Sequence, residues 1–388
     1  MVWSITDIPD HLLAEIFLRL STPEDLARAS AACLTFRRVS TDRSFLRFFR
    51  CLHAPQLLGF LDLDGFHPAM PSNPAARTLA VTADFTFSFL PSHRRWTVQD
   101  IRDGRVLLAR NIGKHGQPPV FGDLAVCDPL HRRYVVLPPL PHSLAASLEH
   151  PFPPVSEACW KRFLVPLGED EVATGETAFR VILMAHWETS LGALVFSSST
   201  NQWQAPAFKD LSDLALGKGY MNRRHYAYGC FYWDCRVNFR MKKLLLLDTR
   251  KMEFSTADLP PGEWTYEGTT IVEAGEGRLG FFGFHCETPS YLSYTVARNK
   301  GESPSQWQME KTISLDSRYK YFIKDATQRY LFFTRREAWS PCSELVGYFS
   351  MDIKTLQLQR AYQKQHYPWN EAYSYINFPP SLLSSRRI

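Results

Sequence analysis

The sequence predicts a small all-α module followed by a mainly all-β body, and three observations carry that prediction. Residues 8–50 place apolar side chains at helical spacing. After Pro55 the pattern changes to short apolar and aromatic runs cut by Gly, Pro, Asp and Asn. A strand–turn–strand unit then recurs through the rest of the chain. With 388 residues the chain exceeds what one small core occupies, so two domains are expected, over 1–54 and 55–388. Its 27 Phe, 16 Tyr and 10 Trp favour strands in the larger one.

The first helix is read from Leu12, Leu13, Ile16, Phe17 and Leu20, which share one stripe while Asp10, His11, Glu15 and Arg19 fall mostly off it. A second helix is expected to start at Thr22. Its hydroxyl can accept from the amide of Asp25, Pro23 suits the first helical position, and Glu24 and Asp25 put negative charge at the positive end of the dipole. Leu26, Ala29 and Cys33 form its small apolar side. A third helical stretch around 42–49 supplies Phe45, Leu46 and Phe49, giving three short helices. A unit of this size buries little surface for its length, so a partner can complete part of its apolar stripe.

The segment Ile8-Pro9, Leu12 to Phe17, Asp25-Leu26 and Ala32-Cys33-Leu34-Thr35-Phe36 resembles an F-box over residues 5–50, in order, spacing and caps. Ile8 stands where that family typically has Leu, and Phe36 where it has Trp; both keep an apolar side chain. The resemblance implies that Ile8, Pro9, Leu12, Leu13, Ile16, Leu20 and Leu26 contact an SKP-type adaptor. Through that adaptor the chain would reach a cullin complex, as the non-catalytic substrate receptor of an SCF ubiquitin ligase for an unknown protein target.

In the body, the recurring unit is a strand, a turn opened by Asp or Ser, and a second strand carrying a large apolar residue five or six positions on. It runs from Leu124 through Asp128 to Tyr134, from Leu194 through Ser198 to Trp203, from Leu244 through Asp248 to Phe254, and from Tyr348 through Asp352 to Leu358. A looser copy spans Tyr291 to Trp307. Asp or Ser at the first turn position hydrogen-bonds the backbone that follows, which explains its recurrence. Upstream strand pairs, such as 96–99 with 105–109 and 319–323 with 330–334, make four strands per period of roughly 50 to 60 residues, the pattern of a β-propeller of five or six blades. A further blade is expected to combine 57–63 and 85–90 with the C-terminal 373–378, so that both chain ends close the ring and protect its edges. Residues 124–139 resemble the first blade of the F-box-associated, kelch-like domains common in plant F-box proteins. The Pro-rich stretches 64–76 and 138–154 read as long loops.

Chemistry-bearing motifs are sparse. His285-Cys286-Glu287 has the His-x-Glu of zinc deaminases, but Pro341-Cys342 is followed by Ser343, Glu344 and Leu345 rather than a second Cys. Glu169, Asp170 and Glu171 are consecutive carboxylates in a Gly-flanked loop and suit solvation better than acid–base work. The eight cysteines contain no C-x-x-C pair and read as reduced thiols. No cofactor or metal is implied. The net charge of +5 is scattered, so nucleic acid is not expected, and no apolar run approaches membrane-spanning length. A cytoplasmic or nuclear location is expected. In each blade the hairpin between the second and third strands points to one side of the ring, and these hairpins hold Lys114 and His115; His186, Trp187 and Glu188; Trp233, Asp234 and Arg236; His285 and Glu287; and Arg335, Arg336 and Trp339. They are the expected target-binding residues. Two rival readings are an adaptor-binding scaffold without a degradative target, and a glycan-binding or enzymatic propeller tagged by an F-box.

Overall fold

The computed structural model describes residues 8–20, 23–53, 56–71, 73–91, 96–110, 122–147, 159–166, 178–187, 189–211, 224–237, 240–297, 306–327, 329–338, 347–362 and 372–376. The chain divides into two compact units, 1–56 and 57–388.

Among its described residues the first unit holds four short helices rather than three: α1 (Asp10–Leu18), α2 (Pro23–Ser30), α3 (Leu34–Ser40) and α4 (Arg43–Leu52). Pro9 opens α1, its carbonyl accepting the first helical bonds from Leu12 and Leu13. At the other end His53 Nε2 meets the Leu18 carbonyl at 2.8 Å and occupies one of the acceptors that a helix end leaves open. Thr22 lies outside the described residues. The additional helix is α3. Cys33, expected on the apolar side of α2, instead caps α3, its sulfur accepting from the Phe36 amide at 3.5 Å. Asp42 caps α4 through the Phe45 amide at 3.0 Å. Leu13, Phe17, Leu26, Val39, Phe45 and Phe49 form the core, with Phe36 set edge-on to Phe17 at 5.1 Å.

The second unit is a six-blade β-propeller. Blade one is β3 (Trp96–Arg102), β4 (Arg105–Arg110), β5 (Asp123–Asp128) and β6 (Arg133–Val136). Blade two is β7 (Cys159–Val165), β8 (Arg180–His186), β9 (Ser190–Ser197) and β10 (Gln202–Asp210). Blade three is β11 (Arg224–Ala227), β12 (Cys230–Val237), β13 (Arg240–Asp248) and β14 (Glu253–Asp258). Blade four is β15 (Trp264–Glu273), β16 (Leu279–His285), β17 (Thr288–Ala297) and β18 (Trp307–Ser314). Blade five is β19 (Tyr319–Ala326), β20 (Tyr330–Glu337), β21 (Tyr348–Asp352) and β22 (Leu358–Tyr362). The sixth blade closes the ring and, among the described residues, has three strands, β1 (Leu57–Asp62), β2 (Gly65–Pro68) and, from the far end of the chain, β23 (Tyr373–Ile376), in the order β2-β1-β23. The β1–β23 pairing agrees with expectation. Residues 85–90 are turn rather than strand, and β2 takes the place expected of them. The Pro-rich stretches are not simple loops either, since they contain β2, the start of α5 (Pro74–Thr82) and α6 (His142–Ser147).

The turn chemistry repeats as the sequence suggests. Asp128, Asp248 and Asp352 each accept from two following backbone amides, at 2.8 to 3.1 Å. Four residues after each of these aspartates, and after Ser197, the backbone is left-handed, at Arg132 (φ 53), Met252 (φ 54), Leu356 (φ 58) and Asn201 (φ 55). The hairpin between the third and fourth strands thus takes the same backbone shape in four blades, with the turn acceptor expected from the sequence present in the three that open on Asp; Ser198, expected to play that part in the second blade, instead accepts from the Phe179 amide at 2.7 Å. In blades one and three the hairpin between the first two strands is a two-residue turn, Asp103-Gly104 and Tyr228-Gly229, with positive φ at both positions, which matches the twist of antiparallel strands.

Alternation along each strand feeds two neighbours. Val106 and Leu108 face the sixth blade with Leu58, Leu61 and Tyr375, whereas Leu107 and Ala109 face the second with Val181 and Phe196. Corresponding clusters fill the interfaces of blades two and three around Phe163 and Phe231, three and four around Trp264 and Phe281, four and five around Phe282 and Phe333, and five and six around Phe60 and Phe332. The core is therefore a ring of inter-blade layers. Polar latches join the same neighbours: Arg105 donates to the Ala178 carbonyl at 2.8 Å, Arg180 to Thr249 at 2.7 Å, and the indoles of Trp203 and Trp307 to Pro138 at 2.9 Å and Asp258 at 3.2 Å. Closure uses Tyr375, whose hydroxyl donates to the Gly104 carbonyl at 2.7 Å.

Candidate interaction surfaces

In the first unit the expected adaptor-contacting residues separate into two groups. Leu13 and Leu26 are buried in the core, and Ile8 and Leu20 pack partly against it. A core role removes Leu13 and Leu26 from a contact face. Pro9 is exposed, and Leu12 and Ile16, one helical turn apart, keep 42% and 48% of their surface in solvent. The stripe read from the sequence is thus split along α1, with 13 and 17 inward and 12 and 16 outward. Further exposed apolar side chains are Leu34 on α3 and Phe48 and Leu52 on α4. Sequence reasoning gave these three no contact role. Arg38 on α3 clamps Asp10 at the start of α1 with contacts of 2.8 and 2.9 Å, a solvent-exposed pair of small energetic weight.

On the propeller, topology sends the hairpins between second and third strands, and the starts of the first strands, to one end of the ring. The structure brings fewer of the expected residues there than the sequence suggests. His186, Trp187 and Trp233 are buried, at 2%, 1% and 1% exposure. Trp187 packs with Leu183 and Leu194, and Trp233 lies between blades against Phe163 and Phe231. Blade strands are covered on both faces, so a Trp near a strand end fills an interface before it can meet a partner. Burial, with a contribution from Lys161, holds the His186 ring down to about 4, so it is neutral at physiological pH. Asp234 is also buried and accepts from Thr269 at 2.8 Å.

Arg236 lies in β12 rather than in its hairpin. His285 is half-buried, edge-on to Trp264 at 5.5 Å, and its Nε2 accepts from the Glu263 amide at 3.2 Å; Glu287 is exposed. Arg335 is half-buried between the rings of Tyr319 and Phe349, at 3.8 and 4.1 Å from their centroids, and Arg336 lies 5.3 Å from the Phe322 ring. Lys114, His115, Glu188 and Trp339 fall outside the described residues, as do Glu169, Asp170 and Glu171.

Along the axis the first strands of successive blades meet, and charge is concentrated there. Asp100 in β3 accepts from the Leu164 amide at 2.8 Å and from Arg224, two blades away, at 2.6 Å. Arg224 stacks on Phe163 at 4.4 Å, and Arg102 lies 5.2 Å from the Tyr226 ring. Asp325 in β19 accepts from Ser374 of the closing strand at 2.8 Å; burial pushes its carboxyl up against the opposing pull of that hydrogen bond. This network ties blades one, two and three to one another, and five to six. Among the described residues no group of three or more His, Cys, Asp or Glu is placed to hold a metal ion, and no helix is long and apolar enough to cross a membrane.

Comparison with known proteins follows this division. The family model described as F-box-like matches residues 5–53. The chain therefore carries an F-box-like domain followed by a six-blade β-propeller. No curated protein matches it. Among solved structures it is similar to hydrazine synthase of Kuenenia stuttgartiensis, at 9% identity over 66% of this chain and 62% of that one, with a TM-score of 0.35. It is similar to the β-propeller domain of the Trilobed protease of Pyrococcus furiosus at 7% identity over 69% of each chain, TM-score 0.37. It is also similar to a protein of unknown function from Dyadobacter fermentans at 11% identity, over 70% of this chain and 82% of that one, TM-score 0.37. The chain spans less than two thirds of the length of the hydrazine synthase chain. Likeness at this level assigns no activity.

Proposed function

We propose that the protein is the substrate receptor of a cullin-type SCF ubiquitin ligase: its F-box-like domain docks on an SKP-type adaptor, and its propeller presents a protein target. On this reading the chain performs no covalent step. It acts by holding target lysines at high effective concentration near a charged conjugating enzyme, in the cytoplasm or the nucleus. The observation that carries the reading is the division of α1. Leu13 and Phe17 already supply its share of the core, so Leu12 and Ile16 are left as an apolar face that the domain does not use for its own folding.

The test is the pair Leu12→Arg and Ile16→Asp, assayed by co-purification with an SKP-type adaptor. Both side chains are about half exposed, so the helix tolerates the change, whereas burying charged groups in an apolar contact costs on the order of 3 kcal/mol, more than a hundredfold in affinity, even where Arg and Asp one turn apart meet each other. Adaptor binding should be lost while the propeller melts as before. Wild-type recovery of adaptor by the double variant refutes the assignment.

A further inference from the structure

We infer that Met309, on the outer strand of blade four, is a reversible oxidation site whose sulfoxide oxygen is received by the buried hydroxyl of Thr295. The inference is independent of the receptor reading. Strand β18 comes last in the order β15-β16-β17-β18, so among the described residues one of its edges carries no further strand. Residues 308–312 along it are exposed. Met309 keeps 54% of its surface in solvent, whereas Met184 and Met351 are fully buried. Its sulfur is therefore open to a small peroxide where theirs are not.

What lies beneath the sulfur sets this residue apart from a merely exposed methionine. Thr295 stands directly opposite Met309 in the β17–β18 register, so the two side chains share a face of the sheet. Thr295 is buried, and its hydroxyl donates to Met309 Sδ at 3.8 Å. A thioether is a weak acceptor, and a hydroxyl removed from water onto a weak acceptor recovers little of its desolvation cost. The local backbone imposes that pairing. Tyr294 is opposite Lys311, so an unbroken register would set the carboxylate of Glu310, a strong acceptor, opposite Thr295; the register shift at this point sets Met309 there instead. Bulges of this kind re-aim side chains at sheet edges.

The step is a two-electron oxidation by hydrogen peroxide. The Met309 sulfur attacks one peroxide oxygen, the S–O bond forms as the O–O bond breaks, and the other oxygen leaves as water with both protons. The sulfur gives up the two electrons that the peroxide takes. The new oxygen is a strong acceptor on a flexible side chain whose end lies in solvent, so it can turn to the Thr295 hydroxyl. Methionine oxidation ordinarily disrupts apolar packing; here it tightens the pairing of β17 with β18. A dithiol reductant, acting through a methionine sulfoxide reductase, reverses it: the oxygen leaves as water and the dithiol becomes a disulfide.

The experiment uses the full chain with its reactive thiols alkylated, graded hydrogen peroxide, peptide mass mapping, and hydrogen exchange of the 307–314 peptide read by mass spectrometry. Met309 should oxidise at a peroxide dose that leaves Met184 and Met351 intact, and exchange across β18 should then slow about fivefold, as one added hydrogen bond would make it. Reductase with dithiothreitol should restore both mass and exchange. Thr295→Ser should keep the slowing. Thr295→Val, which removes the donor and keeps the shape, should abolish it, as should Met309→Leu at the exposed position. Unchanged or faster exchange in the oxidised wild type, equal slowing in Thr295→Val or Met309→Leu, or oxidation of Met309 no sooner than that of the buried pair overturns the site. Oxidised mass that persists after reductase treatment overturns its reversibility.

Discussion

Tyr375 is where the last strand meets the first blade, and replacing it measures how far the ring behaves as one body. The side chain is fully buried, edge-on to Phe66 at 5.6 Å and Phe85 at 5.2 Å, and its hydroxyl reaches the Gly104 carbonyl at 2.7 Å across the closure. Burial raises its phenol well above the ordinary value, so it stays a donor at every working pH. Tyr375→Phe removes only the hydroxyl and leaves one carbonyl short of a partner, at about 1 kcal/mol. Tyr375→Ala also opens a cavity between the sixth and first blades, at about 4 kcal/mol. Domain stabilities are of order 5–15 kcal/mol, so the second change removes a large share of the total. The assay is urea unfolding followed by far-ultraviolet circular dichroism, which is dominated by the propeller strands. In a closed ring the whole strand transition moves to lower urea with its slope unchanged, and the Ala variant moves about four times as far as the Phe variant. A shallower slope with the main midpoint in place refutes cooperative closure, because it means that the sixth blade detaches while five blades hold. Equal shifts for Phe and Ala refute the packing argument.

Three further outcomes follow from buried groups. Arg224→Met should cost about 3 kcal/mol in urea midpoint by leaving Asp100 without its counter-charge, and adding Asp100→Asn should restore much of the loss; a double variant no better than the single would mean that the pair does not couple the blades. His186 is neutral in the folded protein down to about pH 4, while its unfolded form takes a proton near 6.5. The unfolded state thus binds more protons in that window, so stability falls as pH drops from 6.5 to 4, by about 3 kcal/mol for this group, and is constant below; His186→Leu should flatten that segment of the pH–midpoint curve. Cys127, whose thiol burial raises well above its ordinary value, and Cys235, pushed up to about 12, should resist iodoacetamide in the native protein, whereas the exposed Cys159 and Cys286 alkylate, as peptide mass mapping will show.

What could be read in the chain was what local physics decides. The helix at 10–18 has periodicity, and α4 has an Asp cap. The hairpins opened by Asp128, Asp248 and Asp352 were visible because an aspartate at the first turn position bonds amides two or three residues away. The helix α3 was missed for the same reason: its cap is a cysteine, and Leu34, its first residue, is exposed, so neither signal stood out. Phe85, Phe87 and Phe89 alternate as a strand would, yet Asp84 folds them into a turn that stacks Phe85 on Phe66 and seats Phe87 at positive φ.

Which side of a residue meets solvent was beyond the chain alone. Leu12 and Leu13 are the same amino acid in adjacent positions, and only the packing of α1 against its neighbours makes one a surface and the other a core residue. Trp187 and Trp233 have the composition of interface anchors and are interior because a propeller blade is covered on both faces. A cavity at the closure is lined by residues 61–65, 85–87, 96–98 and 373, which no local pattern connects. Periodicity and turn chemistry act over a few residues and so specify which elements form. Burial depends on contacts between separate elements, helix on helix for Leu13 and blade on blade for Trp233, and the closure depends on contacts as far apart as the 271 positions between Tyr375 and Gly104, which exist only once the ring has formed.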